Sequence, residues 1–293
     1  MTKFEGIIPA LVTPLRADET VNTDVLTDLI EYLLDKNADG FYVGGATGEG
    51  IALSAEQRMI LAEASVEAVK GRKPCIIHVA SVNFGEAVEL AKHAERIGAD
   101  GISAIPPLFF SYDEDDVYNY YKRLAESVSI PLMIYFNPAA GFNINAKFAA
   151  RAFEVDNITA IKWTSSNYYE MIKLKDMTNG EMNIINGPDE MLLMGLNAGA
   201  DGGIGTTYNF MIDNIRAVYD NFKANNIDKA REAQTKADRI INALLKYKGI
   251  PATKVVLEEM GFAVGNSVFP MKRYTDSEKA EIISDMRKAG LDI

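Results

Sequence analysis

Short apolar runs and amphipathic helical stretches alternate eight times along this chain of 293 residues. The runs are "GIIPALVTP" (from Gly6), "GFYVGG" (Gly40), "PCIIHVAS" (Pro74), "GISAIPP" (Gly101), "PLMIYFNP" (Pro131), "ITAIKW" (Ile158), "MNIINGP" (Met182) and "GGIGTT" (Gly202). Continuous apolar runs of this length read as strands buried on both faces, the pattern of a parallel sheet covered by helices. The stretches between them, such as "TDVLTDLIEYLLDKN" from Thr23 and "SAEQRMILAEASVEAVKG" from Ser54, carry helical periodicity, and Ser54 with Gln57 spells a capping box. The tripeptide Ala-Asp-Gly recurs at Ala38, Ala99 and Ala200, each time before a strand, and its glycines suit helix C-terminal turns. The fold class expected is α/β, a (β/α)8 barrel, over residues 1–226. A doubly wound sheet is disfavoured, because neither a Gly-x-Gly-x-x-Gly fingerprint nor a strand-order reversal is visible. Residues 227–293, with "KAREAQTKADRIINALLKY" and "SEKAEIISDMRKAG", read as a C-terminal helical extension packed on the barrel as one unit.

Composition narrows the function. A formal net charge of −11 argues against a nucleic-acid partner. No apolar run has the length to span a bilayer, and the N-terminus lacks a signal-peptide pattern, so a cytoplasmic protein is expected. The single cysteine, Cys75, forms no internal disulfide and suits the core. His78 lies in the third strand and His93 in mid-helix, neither with a ligand cluster nearby. No metal site and no Ser-His-Asp triad are expected, and His78 is expected to be a satisfied core residue.

Lys162 stands out as the one lysine or arginine in any of the eight runs. Strand alternation places Ile161 and Trp163 outward and Ala160, Lys162 and Thr164 inward. A lysine in a low-dielectric site sheds its proton more easily, and a neutral amine forms a Schiff base with a carbonyl. The alternative is a strand-end lysine whose head reaches solvent or a carboxylate. Active sites of this fold lie at the strand C-terminal ends. There the second strand offers "GGATGEG", with Thr47, whose glycines permit N–H groups to face an anion or merely make a tight turn. The fifth ends in "YFNP", with Tyr135 inward as core or proton carrier. The seventh ends in Gly187-Pro188-Asp189-Glu190, acids that face the barrel mouth or serve a helix N-terminus. The eighth offers Gly205, Thr206 and Thr207 for a phosphate or for hydroxyls.

In combination, "GGATGE", "YFNP", "IKW" and "GGIGTTYN" resemble the pyruvate-dependent class I aldolases, the dihydrodipicolinate synthase and N-acetylneuraminate lyase family. The likeness runs the whole length. It implies that Lys162 is the Schiff-base nucleophile, Tyr135 the proton relay, and Thr47 with its neighbour Ala46 the carboxylate site. No arginine follows Tyr135 in Asn137–Phe142, where synthases of the family hold a second carboxylate. The Gly-x-Asp-Glu motif instead resembles the branch that cleaves N-acetylneuraminate, a sialic acid, to pyruvate and N-acetylmannosamine. That branch implies sugar contacts from Thr164, Gly187, Asp189, Glu190, Gly205 and Thr206, no cofactor, and a homotetramer. Two departures stand out: Ala46 replaces a family Ser or Thr, and Phe109-Phe110 replaces a tyrosine pair. The alternatives are an aldolase or synthase of the same family acting on another keto acid, and a catalytically silent keto-acid-binding barrel.

Overall fold

The structure is a computed structural model and describes residues 3–293. Its eight strands are β1 (Gly6–Pro9), β2 (Phe41–Val43), β3 (Cys75–His78), β4 (Gly101–Ala104), β5 (Leu132–Phe136), β6 (Ile158–Trp163), β7 (Asn183–Asn186) and β8 (Gly202–Gly205). Each is followed by a helix: α1 (Thr23–Asp35), α2 (Ala55–Val69), α3 (Phe84–Arg96), α4 (Glu114–Ala125), α5 (Ala146–Phe153), α6 (Tyr168–Met177), α7 (Leu192–Asn197) and α8 (Tyr208–Lys223). Three more helices, α9 (Ile227–Leu244), α10 (Gly249–Glu259) and α11 (Asp276–Lys288), complete the chain.

All strand pairs are parallel, in the order β1-β8-β7-β6-β5-β4-β3-β2. The sheet closes where Ala10 bridges Tyr42 and Leu11 N donates to Tyr42 O at 2.9 Å. This is the expected (β/α)8 barrel with C-terminal helices. Alternation along the strands divides the apolar residues into two cores. Phe4, Ile8, Ile76, Met133, Ala160 and Ile204 fill the barrel interior, while Ile161, Trp163, Ile134 and Phe136 pack outward under the helices.

A register shift between β5 and β6 decides which way Lys162 faces. Leu132 pairs with Ile158, but Met133 pairs with Ala160, leaving Thr159 as the extra residue of a β-bulge. Beyond the bulge, Tyr135 pairs with Lys162 on the inner face and Phe136 with Trp163 on the outer face. Without the extra residue, Lys162 would turn toward the helices.

The Ala-Asp-Gly repeat works differently from its sequence reading. The left-handed residues that end the preceding helices are Asn37, Gly98 and Gly199. The tripeptide glycines instead open strands at places of close approach: a Cβ at Gly101 would lie 2.9 Å from Phe4 Cζ, and one at Gly40 3.1 Å from Pro74 O. The repeated function belongs to the aspartates. Asp39, Asp100 and Asp201 each accept a backbone N–H at the start of an earlier strand: Ile7 N at 2.9 Å, Cys75 N at 2.8 Å and Ile184 N at 3.0 Å. Each bond satisfies a donor at the barrel's lower rim. The capping box at Ser54 is half formed. Ser54 Oγ accepts from Gln57 N at 3.2 Å, but the Gln57 side chain turns away to accept from Val21 N at 2.7 Å. A serine cap alone is worth about 1 kcal/mol.

Candidate active site

Lys162 points into the upper barrel and is buried. Its Nζ lies 4.2 Å from the ring centre of Tyr135 and 4.7 Å from that of Tyr42. Among the described residues it has no hydrogen-bond or ion-pair partner, so the alternative of a carboxylate-paired lysine does not hold. Small Ala160 precedes it on the same face and is fully buried. Two aromatic faces at this distance attract an ammonium or iminium cation by roughly 0.5–2 kcal/mol each without a hydrogen bond.

Tyr135 is inward, as expected, and its hydroxyl has no partner among the described residues. Tyr42, which the sequence reading passed over, is the third member of the cluster. Its hydroxyl donates to Ser103 Oγ at 2.9 Å, which donates on to Met133 O at 2.8 Å. Burial pushes the Tyr42 phenol pKa well up, and proximity to Tyr135 adds to the shift. It is a neutral, fixed aromatic wall.

His78 corrects an expectation. It is buried, but neither ring nitrogen finds a hydrogen-bond partner. The ring stands 6.2 Å from Tyr135 and 6.3 Å from Tyr42, centre to centre. Burial above all, then the charges of Arg58 and Lys162, lowers its pKa well below the usual histidine value, so the imidazole stays neutral. Cys75 is in the core, as expected, and burial raises its thiol pKa.

The glycine-rich loop after β2 approaches from one side. Thr47 is buried, and its Oγ1 lies 2.7 Å from Thr206 Oγ1, joining two of the expected site residues across the barrel mouth. Ala46 is exposed at the loop tip. Thr13 Oγ1 donates to Gly48 O at 2.6 Å and ties the loop to the segment after β1.

Above the strand ends lies a cavity of about 560 Å³. Thr164, Gly187, Asp189, Glu190 and Thr206 line it, five residues that the sequence reading grouped together. Thr164 Oγ1 is a buried hydroxyl with no hydrogen-bond partner among the described residues. Gly187 and Gly205 are required by close approach. A Cβ at Gly187 would collide with the Thr164 side chain, and one at Gly205 with Asp189 and Tyr208. Gly205 is buried and, like Ala46 and Thr47, is not part of the cavity wall. The opposite wall comes from α9, α10 and their connection, with Ile241, Leu244, Leu245 and Ile250. No sequence signal marked those four; Ser165 and Ser166, also in the lining, follow directly on the lysine strand.

The two acids differ. Glu190 is exposed to the cavity. Asp189 is buried, and its Oδ2 accepts both from Thr207 N at 2.8 Å and from Thr207 Oγ1 at 2.6 Å. Burial pushes the Asp189 pKa up to about 6, the two Thr207 bonds opposing. Both acids sit in the first turn of the short 3-10 segment Asp189–Met191 that leads into α7, where the helix N-terminus reading puts them, although neither caps that turn. Thr207, one of the three β8-end residues, is thereby committed to a buried carboxyl. Among the described residues, no group of three or more His, Cys, Asp or Glu gathers as a metal site.

The fold places a lysine with no ion-pair partner among the described residues inside the barrel, itself outside the cavity wall, below a hydroxyl-lined mouth at the strand C-terminal ends. The chain belongs to the dihydrodipicolinate synthetase family, whose family model matches residues 3–289. It is 34% identical over 280 residues to the N-acetylneuraminate lyase of Rhizobium meliloti (strain 1021), covering 96% of this chain and 93% of that protein. Its fold matches the solved N-acetylneuraminate lyase of Proteus mirabilis with a TM-score of 0.94 at 32% identity, over 99% of this chain and 100% of the other. A dihydrodipicolinate synthase from Bacillus anthracis matches with a TM-score of 0.93 at 26% identity, over 98% of this chain and 99% of the other. Backbone shape therefore does not separate the two activities, and side chains must.

Proposed function

We propose that this protein is a Schiff-base aldolase that cleaves N-acetylneuraminate to pyruvate and N-acetylmannosamine. The observation that carries the reading is the Lys162 amine, buried between two tyrosine faces with no hydrogen-bond or ion-pair partner among the described residues. Its Nζ attacks the C2 carbonyl of the open-chain sugar acid, and water leaves to give a cationic imine. Tyr135, having given its proton to the departing water, takes the proton of the C4 hydroxyl; the C3–C4 bond breaks, and its electrons enter the imine as an enamine. The amino sugar departs as an aldehyde. Tyr135 then protonates C3, and water hydrolyses the imine to release pyruvate and restore the amine. The rings of Tyr42 and Tyr135 stabilise the cationic imine as it forms. Thr47 and the surrounding loop hold the carboxylate, and Thr164, Glu190 and Thr206 receive the polyhydroxylated tail.

The cavity lining supports this choice over a synthase activity. It contains two acids and no lysine or arginine. A second substrate carboxylate, as in aspartate semialdehyde, would meet repulsion there, whereas hydroxyls donate to carboxylates in charge-assisted bonds. The reading also includes a cytoplasmic homotetramer. Phe109 and Phe110, which are 88% and 66% exposed, are the aromatic pair we expect a neighbouring subunit to cover. The test is pyruvate release from N-acetylneuraminate, with aspartate semialdehyde plus pyruvate as the competing assay. A preference for the second reaction, or release without a borohydride-trapped adduct on Lys162, would overturn the proposal.

A further inference from the structure

The glycine-rich loop is fastened from outside the barrel. Glu49 holds a left-handed backbone, φ 56°, which a glutamate adopts only where its surroundings require it. Its N–H donates to Ala46 O at 3.0 Å, and Gly50 N donates back to Gly45 O at 3.2 Å, closing the turn. The Glu49 side chain is fully buried and runs into the C-terminal helices. There Oε1 lies 2.7 Å from Lys254 Nζ on α10, and Oε2 accepts from Val268 N at 2.7 Å. Lys254 is buried as deeply and also donates to Asn266 O at 3.0 Å.

A buried ion pair is a poor way to gain net stability, since desolvation offsets much of the attraction, and apolar side chains would fill the space as well. What it does supply is a single geometry. Glu49 Oε2 accepts a hydrogen bond from Val268 N and Oε1 is in ion-pair contact with Lys254, both on the C-terminal segment, and the element so fixed is the loop that carries Thr47. Two residues back along that loop Thr47 meets Thr206 at the barrel mouth, and Gly48 O, between Thr47 and Glu49, accepts from Thr13 Oγ1.

We infer that the Glu49–Lys254 pair positions the carboxylate-binding loop, so that the C-terminal helices set the protein's affinity for a small 2-keto acid. Lys254 is thereby a positioning residue that acts through Glu49, outside the cavity and touching no substrate. The inference rests on the proposed Schiff-base reading, because it assigns the loop to the keto-acid carboxylate.

Borohydride trapping of pyruvate on the full chain tests it, titrated with pyruvate to give a half-saturating concentration and a plateau, alongside thermal melting. If the wild type traps nothing on Lys162, the Schiff-base reading fails, not the latch. With trapping established, Lys254→Met should raise the half-saturating pyruvate by about 10–100-fold, the span seen when partners that orient a binding group are lost. The plateau should stay at the wild-type level. Lys254→Arg keeps the charge and should recover most of the affinity. The double variant Glu49→Gln/Lys254→Met removes both buried charges; it should melt near the wild type and yet keep the weakened affinity. A folded Lys254→Met or double variant with wild-type half-saturation overturns the inference. So does a double variant that cannot fold, which would make the pair a stability element alone.

Discussion

Asp189 should make the protein less stable as it ionises, and replacing it with asparagine should expose that cost. The carboxyl is buried, and its pKa stands at about 6 against an ordinary 3.8. Burial is the main cause, with Glu190 adding to it, while the two Thr207 bonds and Lys162 oppose. Because the folded value is raised, the unfolded chain loses the proton first as pH climbs. Between about pH 4 and 6 the folded state binds more protons, so stability falls with rising pH and levels off above the folded pKa. A shift of about two units corresponds to roughly 3 kcal/mol at full ionisation. An asparagine side chain in this place would keep an oxygen for the Thr207 N–H and hydroxyl and would have no charge to bury. Denaturant melts of Asp189→Asn and wild type across a range of about pH 4–7.5 should therefore agree near the acid end and diverge as pH rises, the variant gaining up to about 3 kcal/mol. Lyase activity should fall in the same variant, since a group retained against its own stability is expected to serve the site. A difference that is flat across this pH range would refute the reasoning, and so would a variant that is less stable at neutral pH.

Lys162→Arg should abolish pyruvate trapping, because a guanidinium stays protonated and cannot attack a carbonyl; peptide mapping that finds the adduct elsewhere would move the nucleophile. Tyr135→Phe should lower kcat by about 10²–10⁴ while pyruvate still traps, as expected for a lost general acid–base group. An unchanged kcat would assign the proton to water or another side chain. Glu190→Gln should reduce kcat/KM for N-acetylneuraminate and leave the half-saturating pyruvate concentration in trapping alone; loss of both would place Glu190 at the keto-acid end of the site instead.

The barrel was legible because its signals are local. A buried parallel strand writes itself as an unbroken apolar run, and the helix between runs writes its period and cap. Lys162 and Tyr135 were legible for the same reason: a basic residue among apolar ones breaks the pattern, and alternation gives its direction. That direction nevertheless depends on Thr159, the bulge residue, which no periodicity marks. Tyr42 obeys the alternation rule as plainly as Tyr135, yet a tyrosine between Phe41 and Val43 is ordinary strand composition until its ring is seen against the lysine.

What the sequence hid is long-range. The aspartates of the Ala-Asp-Gly repeat looked like spacers beside informative glycines, because their acceptor role lies on another strand. His78 has an ordinary sequence setting, and only the packed barrel leaves both of its nitrogens unpaired. The apolar wall of Ile241, Leu244, Leu245 and Ile250 reads as helix core in one dimension. Glu49 and Lys254 lie near opposite ends of the chain, and charged residues normally read as solvent-facing. In each case a residue's chemistry was visible and its partner was not. The family relation does not fill that gap, because a synthase and a lyase share this backbone almost equally. The specificity argument therefore rests on the charge of the cavity wall, where two acids and no base favour a ligand rich in hydroxyls over one with a second carboxylate.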